Sequence, residues 1–270
     1  MKLARLIHGR YDQWRNRRAK LRILQELEGV ADEIRRDQWA DSLTDPTAFY
    51  IRCFHYFHTR LPKQLQAHRK YFTQQGRGFG EDAFHTMWHL LFREFQPADF
   101  LEIGVFRGQT ISLAALLSRM NGKPCEVFAI SPFTPAGDSV SRYRRNVDYY
   151  QDTQVNFDQF SLPHSTQLRA FSTDETALTL ISGRPWEMIY IDGNHEYEIA
   201  RKDWEACAQS VKPGGIIVLD DAGLTTSFQP PVFSTKGHPG PSRLAQEIDR
   251  ARFREILQVG HNRVFQKIAG

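Results

Sequence analysis

The stretch FLEIGVFRGQT, residues 100–110, decides how the rest of the chain is interpreted. An apolar run carries an acid at Glu102, opens into glycines at Gly104 and Gly108, and is followed by a helical pattern of apolar residues. Gly104 allows a sharp turn, and Gly108 allows a ligand to approach the backbone. The stretch predicts the first strand–turn–helix unit of a nucleotide-binding type of sheet. Two glycines in such a turn also occur for purely structural reasons, so the rest of the chain must decide.

Strand and helix patterns alternate after this stretch. Four further strands are predicted at residues 126–130, 167–171, 187–191 and 216–219, and a closing hairpin at residues 255–259 and 263–268. Such alternation predicts an α/β fold with a doubly wound, mostly parallel seven-stranded sheet and helices on both faces. Ligands of such sheets bind at the carboxyl ends of the strands.

The first 80 residues have helical patterns only. Apolar residues recur at helical spacing from Ile23 to Ile34, and Asp45 followed by Pro46 predicts a second helix start. We expect residues 1–80 to form a helical cap or lid and residues 81–270 to form the ligand-binding domain. The proline-rich segment 224–241 is predicted to be a second lid, with Ser242 capping the helix that follows it.

Bulk composition excludes several classes of protein. The 270 residues are 41% hydrophobic, enough for a full core, and no apolar stretch is long enough to span a bilayer. No secretory signal is recognisable, so a cytoplasmic location without a membrane span is expected. Three separated cysteines predict neither a disulfide framework nor a zinc site. The net charge of +4 is concentrated near the N-terminus, which keeps nucleic acid as a disfavoured alternative partner.

Acidic side chains follow two strands that should be neighbours. Asp192 comes directly after the fourth strand, and Asp220 and Asp221 come directly after the fifth. Three converging carboxylates repel one another, and a hard divalent cation such as Mg²⁺ relieves that repulsion. The alternative is that each aspartate caps a helix or forms a turn. We favour a magnesium site.

His195 follows Asp192 by three residues, at the mouth of the same loop. An imidazole can accept the proton of a hydroxyl that a metal ion has made more acidic. His195 is therefore the candidate catalytic base. His164 and His238 are weaker candidates for this role.

Several motifs together resemble the class I S-adenosylmethionine-dependent methyltransferases. The resemblance covers about residues 79–268 and includes E-x-G-x-x-x-G, I-Y-I-D-G-N-H, K-P-G-G, D-D and the closing hairpin. The D-x-x-H spacing resembles the metal-dependent sugar O-methyltransferases of antibiotic biosynthesis. The resemblance implies a Rossmann-like methyltransferase domain that binds S-adenosylmethionine.

The resemblance also assigns cofactor-binding residues. Glu102 and the backbone around Gly104 and Gly108 would hold the methionine moiety, and the segment Ser172, Thr173 and Asp174 would border the adenine. Ser131 stands where the family commonly has an acid that binds the ribose hydroxyls. A serine binds a hydroxyl more weakly than a carboxylate does, unless another group such as Asp138 takes its place.

The resulting hypothesis is a magnesium-dependent O-methyltransferase for a small molecule with vicinal hydroxyls, such as a sugar or glycoside. Three alternatives stay open: a catechol or phenol O-methyltransferase, a nucleic-acid methyltransferase, and a binding module without catalysis. The nucleic-acid alternative lacks an N-P-P-Y-type motif and a catalytic-cysteine motif. A homo-oligomer is compatible with the sequence.

Overall fold

The computed structural model describes residues 2–74, 76–135, 137–138 and 146–268, with side chains from residue 12 onward. Its helices are Lys2–Gln25 (α1), Asp41–Thr44 (α2), Pro46–Thr59 (α3), Lys63–Gln74 (α4), Asp82–Phe95 (α5), Gln109–Asn121 (α6), Tyr149–Gln159 (α7), Glu175–Ser182 (α8), Tyr197–Ser210 (α9) and Pro239–Glu247 (α10). Its strands are Asp99–Ile103 (β1), Glu126–Ser131 (β2), Thr166–Arg169 (β3), Trp186–Ile191 (β4), Val211–Leu219 (β5), Phe253–Val259 (β6) and Asn262–Lys267 (β7). No helix among these residues is long and apolar enough to cross a membrane.

The strands form one seven-stranded sheet in the order β3-β2-β1-β4-β5-β7-β6. The first five strands in this order are parallel, and β7 runs antiparallel to both β5 and β6. The predicted doubly wound sheet is confirmed. The order reverses between β1 and β4, so the crevice for a ligand lies at their carboxyl ends.

Helices cover both faces of the sheet. On one face Trp88 of α5 packs edge-on against Phe100 and Tyr190, with ring centroids 5.6 and 4.9 Å apart. On the other face Trp204 of α9 packs against Phe253 and Phe265. Because α3 and α5 share a buried cluster with the sheet, helices on both sides of residue 80 contribute to one core.

The helix predicted from Ile23 to Ile34 is wrong beyond residue 25. The chain leaves α1 at Gln25 and is irregular from residue 26 to residue 35, with Val30 60% exposed. Gly29 has a φ of +80°, which other residues rarely adopt, and this conformation is incompatible with a continuous helix. Helical spacing of apolar residues therefore extended past the true helix end.

Two predictions near the carboxyl ends of strands also need correction. Helix α10 begins at Pro239, because proline is favoured at the first helical position, so Ser242 does not cap it. Ser242 is buried, and its hydroxyl donates to the Asp221 carbonyl (3.1 Å) while accepting from the Leu224 amide (3.0 Å). Strand β3 ends at Arg169 instead of residue 171, where the chain turns to expose Phe171.

Candidate active site

Gly104 brings the ends of β1 and β4 together. Its φ is +94°, and a Cβ atom built on it would lie only 1.9 Å from the carbonyl oxygen of Asp192. A side chain here would push the two strand ends apart. The glycine turn therefore abuts directly the loop that carries Asp192 and His195.

Glu102 supplies a buried acceptor beneath this turn. Its side chain is 3% exposed, and its Oε2 atom has no hydrogen-bond partner among the residues that the structure describes. Burial, and to a lesser degree the charge of Asp220, raises the pKa of the Glu102 carboxyl well above its usual value. A buried acceptor without a donor is costly, so the position fits a ligand that brings an amine or another donor.

Gly108 is required by packing inside the protein. It precedes α6 with a φ of +78°, and a Cβ atom there would lie 2.7 Å from the Thr153 side chain of α7. Arg107 reinforces this contact through an ion pair with Asp152. The sequence analysis attributed Gly108 to a ligand, and the structure shows a second reason for it.

Ser131 lies at the end of β2 and already has a backbone partner. Its hydroxyl donates to the carbonyl of Val105 at 3.0 Å, and its side chain is 6% exposed. The proton of this hydroxyl is therefore used to brace the glycine turn. Asp138, considered as its replacement, lies beside His195 instead: its Oδ2 atom accepts from the backbone amide of His195 at 2.8 Å.

The three predicted adenine-border residues lie between β3 and α8. Asp174 accepts a hydrogen bond from the Phe171 amide at 2.8 Å, which closes the turn, and Thr173 is exposed. Ser172 hydrogen-bonds with Asp203 of α9. Burial raises the pKa of the Asp203 carboxyl to about 6, although the Ser172 hydrogen bond opposes that shift.

The three predicted metal ligands converge as the strand order requires. Asp192 lies close enough to Asp220 for the two carboxyls to interact directly. Burial and the charge of Asp220 raise the pKa of Asp192 well above its usual value. Burial would also raise the pKa of Asp220, but the charge of His261 outweighs burial and holds it at about 2.

Two groups of side chains here have metal-ligating geometry. In each group one ligand atom per residue lies within 4.8 Å of the others. The first group is Asp220, Asp221 and His261, and the second is His195, Asp221 and His238. Asp192 contacts Asp220 but is in neither group. A small cleft of about 220 Å³, including its open mouth, is lined by Asp192, His195, Asp220 and Asp221.

His195 is held between two carboxylates. Its Nδ1 atom lies 2.5 Å from Asp138 Oδ2, and its Nε2 atom lies 2.8 Å from Asp221 Oδ2. Burial alone would lower the pKa of His195, but hydrogen bonds and charge from Asp221 and then Asp138 raise it to about 9. The His238 ring lies tilted beside the His195 ring, with centroids 4.2 Å apart, while His164 forms a surface pair with Asp158.

Asp221 itself adopts an unusual backbone conformation. Its φ is +54°, uncommon for a residue with a side chain. The His238 amide donates to its carbonyl oxygen at 2.9 Å, and Gly237 packs so closely that a Cβ atom there would lie 2.3 Å from that carbonyl. Backbone strain of this kind clusters at functional sites.

Sequence reasoning missed His261, which lies in the turn between β6 and β7. A signal was available: β7 runs antiparallel to β5, so the turn that precedes β7 must lie at the carboxyl end of β5. The Ala222 amide donates to the His261 carbonyl at 2.9 Å, which fixes the turn beside Asp220 and Asp221.

Comparison with known proteins gives a consistent family. Residues 101–222 match the family model described as a methyltransferase domain, Methyltransf_24. An uncharacterized protein of Acanthamoeba polyphaga mimivirus is 24% identical over 177 residues, which cover 63% of this chain and 72% of that protein.

Solved structures share the fold. An O-methyltransferase from Bacillus cereus in complex with SAH has a TM-score of 0.54 at 14% identity, covering 87% of this chain and 100% of that chain. The O-methyltransferase TomG from Streptomyces achromogenes, involved in tomaymycin synthesis, has a TM-score of 0.52 at 16% identity, covering 88% and 100%. A putative caffeoyl-CoA O-methyltransferase from Staphylococcus aureus has a TM-score of 0.53 at 14% identity, covering 76% and 92%.

The strand order is that of a Rossmann-like methyltransferase fold, and residues 101–222, which run from within β1 to just past the end of β5, match a methyltransferase domain. The activity supported is that of a class I S-adenosylmethionine-dependent methyltransferase, as the motifs around Glu102 and Gly104 predicted.

Proposed function

We propose that this enzyme transfers the methyl group to a hydroxyl oxygen of a small molecule with vicinal hydroxyls, such as a sugar or glycoside, with the help of a divalent cation. One observation carries the proposal: an imidazole, His195, is clamped by carboxylates in a loop that touches the glycine turn. Proton removal and methyl donation can therefore take place side by side. Several solved structures with this fold are named O-methyltransferases, which supports oxygen as the acceptor atom.

The part of the site that would bind the cofactor is the glycine turn after β1 and the residues around it. Bound S-adenosylmethionine supplies the methyl group on a positively charged sulfur. Glu102 would accept hydrogen bonds from its amino group, since the Oε2 atom lacks a partner within the described chain. The backbone at Gly104 and Gly108, with Ser131 and residues 172–174, would hold the remainder.

The part of the site that would bind the methyl acceptor contains the three carboxylates. Asp192, Asp220 and Asp221 suit a divalent cation, because oxygen donors of like charge this close repel one another without a counterion. A cation such as Mg²⁺ would supply Lewis acidity that lowers the pKa of an acceptor hydroxyl. Asp220 and Asp221 follow the buried strand β5 directly, so their backbone is fixed before any ligand arrives.

His195 would accept the hydroxyl proton. Asp138 accepts a hydrogen bond from Nδ1, which leaves Nε2 as the basic atom, and Nε2 faces Asp221 and the cleft. The imidazole must be neutral to act as a base, and the two carboxylates favour its protonated form. Neutralising Asp221 with a cation removes one of those carboxylate charges, so the metal and base roles are coupled.

The helical region 1–80 and the segment 224–241 are proposed to cover the acceptor. The segment is attached to the site, because the Gly223 amide donates to the Lys236 carbonyl at 3.0 Å and His238 contacts Asp221. It also reaches the N-terminal helices: the Gln229 amide donates to the Thr47 hydroxyl at 2.8 Å.

The test is a mass-spectrometric screen of the purified protein with S-adenosylmethionine, Mg²⁺ or Mn²⁺, and a panel of glycosides, catechols and isolated monohydroxyl analogues. Methylation of glycosides with vicinal hydroxyls, lost with a chelator, is the expected result. A preference for catechols would show that the acceptor is a catechol instead of a glycoside. Methyl transfer that a chelator does not affect would refute the proposed requirement for a divalent cation. Cofactor binding by calorimetry without transfer to any acceptor would show a binding module.

A further inference from the structure

The turn between β6 and β7 places an imidazole against the predicted metal ligands. His261 Nε2 lies 3.3 Å from Asp220 Oδ1 and 3.8 Å from Asp221 Oδ1. The His261 residue is 8% exposed. Pairing of Leu219 with Arg263 fixes the distance between the end of β5 and this turn. The imidazole is therefore a permanent part of the site.

The orientation of the His261 ring is fixed by contacts on the side away from Asp220 and Asp221. Its Nδ1 atom lies 3.1 Å from the Thr235 carbonyl oxygen, which can only accept, so Nδ1 carries the proton and donates. Phe84 packs edge-on against the ring, with centroids 4.8 Å apart. A carbonyl behind one nitrogen, with the other nitrogen facing carboxylates, is the usual arrangement around a metal-binding histidine.

Asp220 completes the argument for a cation between these groups. Its Oδ1 atom is buried, and no donor among the described residues meets it in good hydrogen-bond geometry. The Nε2 atom of His261 lies 3.3 Å from it. A ligand between Asp220, Asp221 and His261 would satisfy this acceptor and all three side chains at once.

We propose that Asp220, Asp221 and His261 bind a divalent first-row transition metal ion in preference to Mg²⁺. Imidazole nitrogen favours transition metals, whereas Mg²⁺ prefers oxygen ligands and water. The inference deepens the proposed function, because His261 changes which ion assists the methyl transfer. The role of the ion in catalysis rests on that proposed function. Binding of the ion itself can be measured without any methyl acceptor.

The experiment is electron spin-echo spectroscopy of Mn²⁺ bound to chelator-treated full-length protein, with Co²⁺, Zn²⁺ and Mg²⁺ as competitors. Wild-type protein should show nitrogen coupling from one imidazole, and Zn²⁺ and Co²⁺ should displace Mn²⁺ at concentrations at least about tenfold lower than Mg²⁺ requires. The His261→Gln variant should lose the coupling and about tenfold in Mn²⁺ affinity, while its Mg²⁺ affinity changes less.

A double variant keeps the inference testable if His261→Gln does not fold. The other nearby imidazoles belong to His195 and His238, so the double variant His195→Gln/His238→Gln should keep the nitrogen coupling. Loss of coupling in that variant, absence of coupling in wild type, or equal displacement by Mg²⁺ would overturn the proposal. Absence of methyl transfer from a protein that shows the coupling would refute the proposed function and leave the metal site intact.

Discussion

A buried pair of histidines links the N-terminal helices to the cofactor turn and predicts an acid-sensitive fold. His68 of α4 lies with Nδ1 3.1 Å from Nε2 of His85 in α5, and with Nε2 3.0 Å from the hydroxyl of Ser112 in α6. Ser112 in turn donates to the carbonyl of Gly108 at 2.7 Å. Three helices and the glycine turn therefore share one buried hydrogen-bonded chain.

The cost of acid can be calculated for His68. Burial and then the charge of Arg69 lower the pKa of His68 from 6.5 to about 3. The unfolded chain thus binds a proton near pH 6.5 that the folded chain refuses, so stability is complete above 6.5 and falls as pH decreases toward 3. At about 1.4 kcal/mol per pH unit, His68 costs about 2 kcal/mol at pH 5. Burial lowers the pKa of His85 too, so its effect has the same sign.

The assay is urea unfolding at pH 7 and pH 5 for wild type and His68→Gln. Other groups contribute with the opposite sign: Asp203, with a pKa of about 6, gains stability on acidification. The informative quantity is therefore the difference between the two proteins in the free energy lost on acidification. His68→Gln should lose about 2 kcal/mol less than wild type, whatever its stability at pH 7.

A matched control is His164→Gln, at a half-exposed surface pair with Asp158. Its free energy lost on acidification, measured in the same assay, gives the effect of removing a surface histidine, with which the effect of His68→Gln is compared. Equal losses for wild type and His68→Gln, within about 0.5 kcal/mol, would show that His68 is not held neutral in the folded protein. The reasoning about the buried hydrogen-bonded chain would then be refuted.

Four further substitutions test the site. His195→Ala should lower turnover by about 10²–10⁴-fold while calorimetry shows unchanged S-adenosylmethionine binding; normal turnover would remove the base assignment. Asp220→Asn should abolish stimulation of methyl transfer by divalent ions. Gly104→Ala should destabilise the fold by about 2–5 kcal/mol in thermal unfolding, because its methyl group would meet the Asp192 carbonyl at 1.9 Å. Ser131→Asp should weaken cofactor binding about tenfold, because it replaces the donor to Val105 with a buried carboxylate; tighter binding would instead support a ribose role for position 131.

The sheet and the carboxylates were predictable because their signals are local. Each β-α unit has its own apolar pattern and turn residues, and the handedness of the crossovers then leaves few possible strand orders. The adjacency of β4 and β5 follows, and with it the meeting of Asp192, Asp220 and Asp221. No side-chain contact had to be known in advance.

The partners of those carboxylates were not predictable in the same way. His261 depends on the sheet edge at which the closing hairpin pairs, and Asp138 depends on the path of the chain after β2. The carboxylates of Asp221 and Asp138 also raise the pKa of His195 to about 9. A sequence pattern shows that a histidine is near an acid, but the pKa depends on distances and burial.

The segment 224–241, predicted to be a lid, is anchored to the core by a buried aromatic residue. Phe228 is completely buried, with its ring centroid 5.3 Å from that of Tyr50 in α3, and the side-chain amide of Gln258 donates to the Thr226 hydroxyl at 2.9 Å. Opening the segment as one body would expose Phe228, at a cost of about 1.5–3 kcal/mol. Open molecules would then be fewer than about one in ten. Opening of the whole segment is therefore a minor state, whereas a movement that leaves Phe228 in place would be confined to the part that follows it, up to Gly237 and His238 beside Asp221.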